Sequence, residues 1–172
     1  MGRRIYATAH LTGSFVLRSG QTADEYFDKY RFEADPVLLD AIAEAMVPLV
    51  PADTEVLAGL EMGGIPVVTA LGRRTGLPCA FVRKQAKPYG TRRLAEGAET
   101  TGRRVTIVED VVTTGGQIVL STEELRSNGA DITNALCVIN RNTATPAPLS
   151  EAGLTLHALF SSEDLAAHTA AG

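Results

Sequence analysis

The residues in this chain best suited to chemistry form one short run: Glu109 and Asp110, then Val111-Val112, Thr113-Thr114-Gly115-Gly116 and Gln117. Carboxylates accept hydrogen bonds from ribose hydroxyls or from waters on a bound cation. Glycines let the backbone come close to a ligand, and the free N–H groups at a helix start attract an anion. Thr113 and Thr114 add hydroxyl donors, so a phosphate suits this loop. The run has no Gly-Lys-Ser/Thr and no G-x-G-x-x-G, which excludes the two commonest phosphate-loop signatures. An ordinary βα turn with a capped helix is the competing account. The adjacent acids weigh against it, because buried carboxylates are costly without partners.

The flanking residues indicate what positions this run. Val105, Ile107 and Val108 are apolar and mostly β-branched, as in a buried parallel strand. Ile118, Leu120 and Leu125 then keep a helical spacing, with Glu123 and Glu124 toward water. The expected order is strand, acid pair, Gly/Thr loop, helix. In an open α/β sheet a ligand binds beyond the carboxyl ends of such strands. A second unit of the same kind lies earlier: a strand Val56–Leu60, the loop Glu61-Met62-Gly63-Gly64, and an apolar helix from Ile65-Pro66 through Leu71. By itself it fits a plain βα turn equally well.

A third strand, Cys79–Val82, ends at Arg83-Lys84 and is followed by QAKPYGTRRLAEGAETTG, too polar and too rich in Gly and Pro for core. From Arg83 to Arg93 there are five basic residues (Arg83, Lys84, Lys87, Arg92 and Arg93) and no acid. A long loop between buried strands is uncommon unless it works, and a basic one beside a phosphate site reads as a lid over anions. A solvated charge run is the alternative.

The remaining elements follow from pattern and punctuation. Asp35-Pro36 opens a core-facing helix carrying Val37, Leu38, Ala41, Ile42, Ala45, Met46 and Leu49, which Pro48 and Pro51 end. Asn128-Gly129 caps the central helix, and Ile132 to Ile139 form a strand ending at Asn140-Arg141. Thr143–Pro148 reads as a loop, Leu154–Phe160 as an edge strand, and Ser161–Asp164 as the cap of a short last helix. Residues 1–35 are the least regular. Within them Gly13–Gly20 reads as a short strand and turn, and Tyr26–Phe32, aromatic and charged in alternation, as a rim strand.

With 172 residues, 45% of them hydrophobic and 21% charged, the chain suits one soluble α/β domain. Its net charge of −4 argues against a nucleic-acid partner. No apolar run is long enough to span a membrane or serve as a signal peptide, so the expected location is the cytoplasm. Cys79 and Cys137 lie in apolar runs and read as buried thiols in a reducing compartment. His10, His157 and His168 sit in no constellation with Cys or one another.

VEDVVTTGG at 108–116 resembles the phosphoribosyl-pyrophosphate (PRPP) signature of type I phosphoribosyltransferases. RKQAKPYGTRRLAEG at 83–97 resembles the catalytic loop of the orotate branch, and FVLRSG followed by YFD is similar to its N-terminal hood. The likeness covers roughly Gly13 to Arg141. It implies a mainly parallel twisted sheet flanked by helices, with residues 1–35 as hood and 36–172 as core. The activity it implies joins orotate to PRPP, giving orotidine 5′-monophosphate and diphosphate in pyrimidine synthesis.

Carried over residue by residue, the resemblance assigns PRPP to Arg18, Arg83, Lys84, Lys87, Tyr89, Glu109, Asp110 and the loop Val111 through Gln117. Diphosphate falls to Glu61, Met62, Gly63 and Gly64, and orotate to Thr113 and Arg141. Lys84, Lys87 and Asp110 take the catalytic roles. Arg141 would grip the orotate carboxylate; without the family it is an exposed loop Arg. Mg2+ would be held by PRPP and by no direct protein ligand, and a homodimer would share the Lys84–Gly97 loop. The chain departs from the family's common pattern at Gly63, where many orotate enzymes carry Lys, and at Arg18, where Lys is usual. Transfer to a purine and PRPP sensing without turnover are the alternative activities.

Overall fold

The strands that lead into the two glycine loops lie side by side at the centre of a six-stranded sheet in the computed structural model of the chain. The structure describes residues 1–16, 20–85 and 94–167. In chain order the elements are α1 (Gly2–Ala9), β1 (His10–Val16), β2 (Thr22–Phe27), α2 (Lys29–Ala34), α3 (Pro36–Met46), β3 (Val56–Leu60), α4 (Gly64–Thr75), β4 (Cys79–Val82), β5 (Ala95–Gly97), β6 (Arg104–Val112), α5 (Gly116–Ser127), β7 (Asp131–Asn140), α6 (Ala147–Glu151), β8 (Thr155–Ser161) and α7 (Ser162–Ala167). The sheet order is β5-β4-β3-β6-β7-β8, with all neighbours parallel except β5 against β4. Strands β1 and β2 form a separate antiparallel pair.

Every residue of β3 is buried, as a parallel strand covered on both faces requires. Alternate side chains feed two cores. Val56, Ala58 and Leu60 join Ile107, Ile118, Leu125 and Leu149 on the face of α5 and α6. Leu57 and Val108 join Leu38, Ile42, Met46, Val67, Val68 and Leu71 of α3 and α4 on the other. Asp35 caps α3 by accepting from the Val37 and Leu38 N–H groups, both at 3.0 Å, with Pro36 in the first turn. Ser161 and Asp164 cap α7 reciprocally.

The N-terminal region departs most from expectation. Residues 2–9 form a helix that buries Ile5 and Ala9 in the second core. With three buried residues and no side-chain cap, its sequence signal is slight. The segment 26–32 is not a rim strand: β2 stops at Phe27, and the Asp28 carboxylate accepts from the Tyr30 N–H at 3.2 Å to start α2. The aromatic-and-charged alternation there is the end of a strand followed by a helix, which buries Phe32 and leaves Tyr30 exposed. The acid pair is also inside β6 rather than beyond it, because β7 continues pairing through Val112↔Asn140. Residues 95–97 of the expected loop pair with the open edge of β4, and Leu94 is buried beneath. Within Thr143–Pro148, helix α6 has already begun at Ala147. Leu120 faces solvent, and Cys79 is half-buried while Cys137 is buried.

Helix α4 lies unusually close to β3, and glycine permits it. A Cβ at Gly59 would fall 2.4 Å from Val68 Cγ1 and 2.6 Å from the Gly64 carbonyl oxygen. The second contact is backbone and cannot yield without moving the helix. Gly59→Ala should therefore lower the unfolding free energy by about 3 kcal/mol, read as a lower urea midpoint with an unchanged slope.

Candidate active site

The chain leaves β3 through α4 toward β4 and leaves β6 through α5 toward β7, in opposite directions along the sheet. The carboxyl ends of β3 and β6 thus flank a topological switch point, where open α/β sheets bind ligands. Register pairs Gly59 with Val108, so the loop after β3 faces Glu109 and Asp110. The contact is close: a Cβ at Gly63 would lie 1.8 Å from Asp110 Oδ2. Any side chain there would require the Asp110 carboxyl to shift. The Glu61 N–H donates to the Val82 carbonyl at 2.8 Å, and Glu61 Oε1 accepts from the Lys84 N–H at 2.6 Å, which fastens the loop to the end of β4. The Glu61–Met62 peptide is cis, and Met62 is exposed.

Asp110 is fully buried. Its Oδ1 accepts from the Val111 N–H at 2.6 Å, and its own N–H donates to Glu109 Oε1 at 3.1 Å. Its Oδ2 makes an ion pair with Lys29 Nζ at 2.7 Å. Glu33, one turn along α2 from Lys29, is also buried and brings its carboxyl against Asp110. Burial drives Glu33 up to about 9, and a hydrogen bond to Asp110 and the Asp110 charge add to it. Burial likewise drives Glu109 up to about 9, again helped by Asp110. For Asp110 itself burial acts upward, but hydrogen bonds from Glu109, Glu33 and Lys29 outweigh it and hold the carboxyl below the usual range. Burial acts to lower Lys29, and the pair with Asp110 outweighs that and raises it. Near neutral pH the cluster is one carboxylate, one ammonium and two neutral acids. The neutral acids donate to the one carboxylate.

The second loop is held from below and open above. Gly115 has φ 77°, and a Cβ there would meet Leu149 Cγ at 2.7 Å. Thr113 and Thr114 are exposed. Thr114 Oγ1 accepts from the Gly116 N–H at 3.4 Å, and the Thr113 carbonyl accepts from Asn142 Nδ2 at 2.6 Å. Gln117 donates to Ser121 Oγ within α5. Val112 is buried and Val111 half-buried.

Arg141 follows β7, donates its N–H to the Val112 carbonyl at 2.8 Å, and places its guanidinium 5.9 Å from the Phe27 ring. Arg83 donates its N–H to the Leu94 carbonyl, and its Nε lies 4.0 Å from Glu96. Lys84 is exposed. Arg18, Lys87, Tyr89, Arg92 and Arg93 lie outside the described residues.

The structure therefore gathers Glu109, Asp110, Gly63, Gly64 and the Thr/Gly loop at one end of the sheet. It adds three residues that pattern reading passed over: Phe27, Lys29 and Glu33. Asp28 as a helix cap, with Lys29 and Glu33 four apart after it, is the sequence signal that would have placed the last two on one helical face.

The buried acids make stability depend on pH. An ordinary Glu titrates near 4.3, so folding takes up a proton at Glu33 and another at Glu109 between there and about 9. The folded state binds more protons than the unfolded one, and stability falls as pH rises through this window. Glu33→Gln keeps the shape and removes one of these protons. The variant should match the wild type in urea unfolding at about pH 5 and exceed it at about pH 8.5.

Comparison with known proteins agrees with this architecture. The model of the phosphoribosyl transferase domain matches residues 31–153. A protein of Nocardioides sp. described as orotate phosphoribosyltransferase is 49% identical over 168 residues, covering 98% of this chain and 94% of its own. The crystal structure of Mycobacterium tuberculosis orotate phosphoribosyltransferase in complex with Fe(III) dicitrate is 30% identical, with a TM-score of 0.83 and 95% of each chain covered. The same enzyme in complex with 5-phospho-alpha-D-ribosyl 1-diphosphate (PRPP) superposes with a TM-score of 0.81 at 26% identity over 96% of each chain. An acid pair at the switch point, two glycine loops around it and these likenesses across nearly the whole length lead to one conclusion: the chain belongs to the orotate phosphoribosyltransferases of the phosphoribosyltransferase family.

Proposed function

We propose that the chain transfers the phosphoribosyl group of PRPP to orotate, forming orotidine 5′-monophosphate and diphosphate, as a cytoplasmic homodimer. The observation that carries the reading is the fully buried Asp110 carboxylate, set between the Gly63 loop and the Thr113–Gly116 loop in a chain of this family. No helix among the described residues is long and apolar enough to cross a membrane. Cys79 and Cys137 are free thiols, which suits a reducing compartment. Transfer to a purine and PRPP sensing without turnover find no support in the family.

In the reaction the bond from ribose C1′ to the diphosphate oxygen breaks with its electron pair leaving on diphosphate, and a ring nitrogen of orotate bonds to C1′. Positive charge grows on the ribose ring and negative charge on the leaving group. Glu109 and Asp110 hold the ribose hydroxyls, and the carboxylate of Asp110 faces the developing cation. Exposed N–H groups around Thr113–Gly116, at the start of α5, receive the 5-phosphate. Arg141, set over Phe27, receives the orotate carboxylate. Lys84 and Lys87, with Arg83, neutralise the leaving diphosphate. Orotate attacks as an anion, so no strong protein base is required. One carboxylate, Asp110, already paired with Lys29 and beside the neutral acid of Glu109, offers too few donors for a protein-held magnesium and suits one that arrives on the substrate phosphates. Mg2+ supplies charge neutralisation to the diphosphate when bound.

Adding PRPP and Mg2+ to enzyme and orotate should deplete orotate absorbance and release diphosphate. Turnover with a purine and none with orotate would overturn the reading. The shared loop is tested separately. Lys87→Ala and Asp110→Asn should each be nearly inactive as homodimers. Unfolded and refolded together they should regain part of the activity, because a mixed dimer with loops exchanged carries both lesions in one site and leaves the other intact. Mixed dimers confirmed by mass and still inactive would place Lys87 in its own subunit's site.

A further inference from the structure

We propose that Lys29 is a substrate-binding residue that pairs with Asp110 in the free enzyme and transfers its ammonium to the diphosphate when PRPP takes over the acid pair. This rests on the phosphoribosyl-transfer reading above and adds to it a residue that no motif marks.

The geometry makes Asp110 Oδ2 a meeting point. Lys29 Nζ lies 2.7 Å from it, and a Cβ at Gly63 would lie 1.8 Å from it. The ammonium is therefore no farther from the start of a residue-63 side chain than the sum of these distances. With glycine at 63, the loop after β3 puts no cation of its own at this point. Its four residues, Glu61, Met62, Gly63 and Gly64, carry no positive charge and one negative. A polyanion approaching this loop meets an ammonium delivered instead from α2.

Lys29 is built to move while Asp110 is not. The lysine side chain is 33% exposed and its partner 0%. Asp28 fixes the backbone at the start of α2 by capping, while the ammonium, 5.3 Å from the Tyr30 ring centroid, belongs to a side chain that keeps access to solvent. Asp110 Oδ2 is held by the Lys29 ion pair, with the neutral acid of Glu33 against the same carboxylate. A ribose hydroxyl takes the place of the ammonium on this oxygen. Once it does, the ammonium is released next to the phosphate groups bonded to the same sugar. The carboxylate is paired with lysine before binding and accepts hydrogen bonds from sugar hydroxyls after it, while the lysine passes from one anion to another. Neither group is left without a polar partner at either stage.

Removing Lys29 alone would strand the Asp110 carboxylate and could lower activity through folding. The test therefore uses the Asp110→Asn background, where the buried charge is already gone, with magnesium pyrophosphate as the probe in calorimetric titration. Adding Lys29→Met to Asp110→Asn should weaken pyrophosphate binding by about tenfold or more, the usual worth of a charge-assisted hydrogen bond. Lys29→Arg in the same background should retain most of the binding. In the otherwise native chain Lys29→Met should raise the PRPP KM and leave the orotate KM within about twofold. Equal pyrophosphate affinity in Asp110→Asn with and without Lys29→Met would overturn the proposal and leave Lys29 as a counter-ion of the buried acid. Because pyrophosphate binding does not involve the base, that failure is distinct from absence of turnover with orotate.

Discussion

A carboxylate with no solvent exposure must be compensated where it stands, and Asp110 imposes that demand on this molecule. The surroundings answer it from three directions. The backbone of β6 supplies the Val111 N–H, α2 supplies Lys29 and the neutral acid of Glu33, and the loop after β3 contributes only the absence of a side chain at Gly63. A charged acid in the interior thus ties the N-terminal segment to the central sheet. Burial, helped by that charge, keeps Glu33 and the half-buried Glu109 protonated, because three clustered acids cannot all ionise beside a single ammonium.

The sheet topology makes that cluster a binding site rather than a buried defect. With β3 and β6 adjacent and their helices departing in opposite directions, two glycine loops end up around one acid. Close approach is obtained with glycine at each contact: Gly59 against Val68, Gly63 against Asp110, Gly64 against the Val108 carbonyl, and Gly115 against Leu149. The loop residues that remain exposed, Thr113 and Thr114, sit above a base locked to Asn142 and α6. Rigid support under an open rim is what a site needs to orient a flexible, highly charged substrate.

The small β1–β2 sheet with α1 and α2 is the part that links substrate chemistry to the fold of the N-terminal region. Phe27 at the end of β2 meets the Arg141 guanidinium, and Lys29 two residues later meets Asp110. Two proposed substrate contacts, one to the base and one to PRPP, therefore depend on how a single strand ends. The cap at Asp28 decides it, since a strand continued by two residues would carry Lys29 away from the acid.

Local rules made much of this legible from the sequence by itself. Short apolar runs marked β3, β4, β6 and β7; Asp35-Pro36, Asn128-Gly129 and Ser161–Asp164 marked helix ends; and the acid pair before Thr-Thr-Gly-Gly marked the ligand end of the sheet. Each of these signals is carried by neighbours in the chain, which is why they could be read there. The extent of β6 through its acids, the pairing of Ala95–Gly97 with β4, and the helical state of residues 2–9 and 29–34 were decided by tertiary structure. In each case the deciding partner is remote: β7 beside the acids, an open strand edge beside β5, and the second core beneath α1 and α2. The same holds for Lys29, Glu33 and Gly63. Their local patterns place Lys29 and Glu33 on one helical face and Gly63 in a glycine loop, but their roles arise only because the fold brings all three to the buried Asp110 carboxylate.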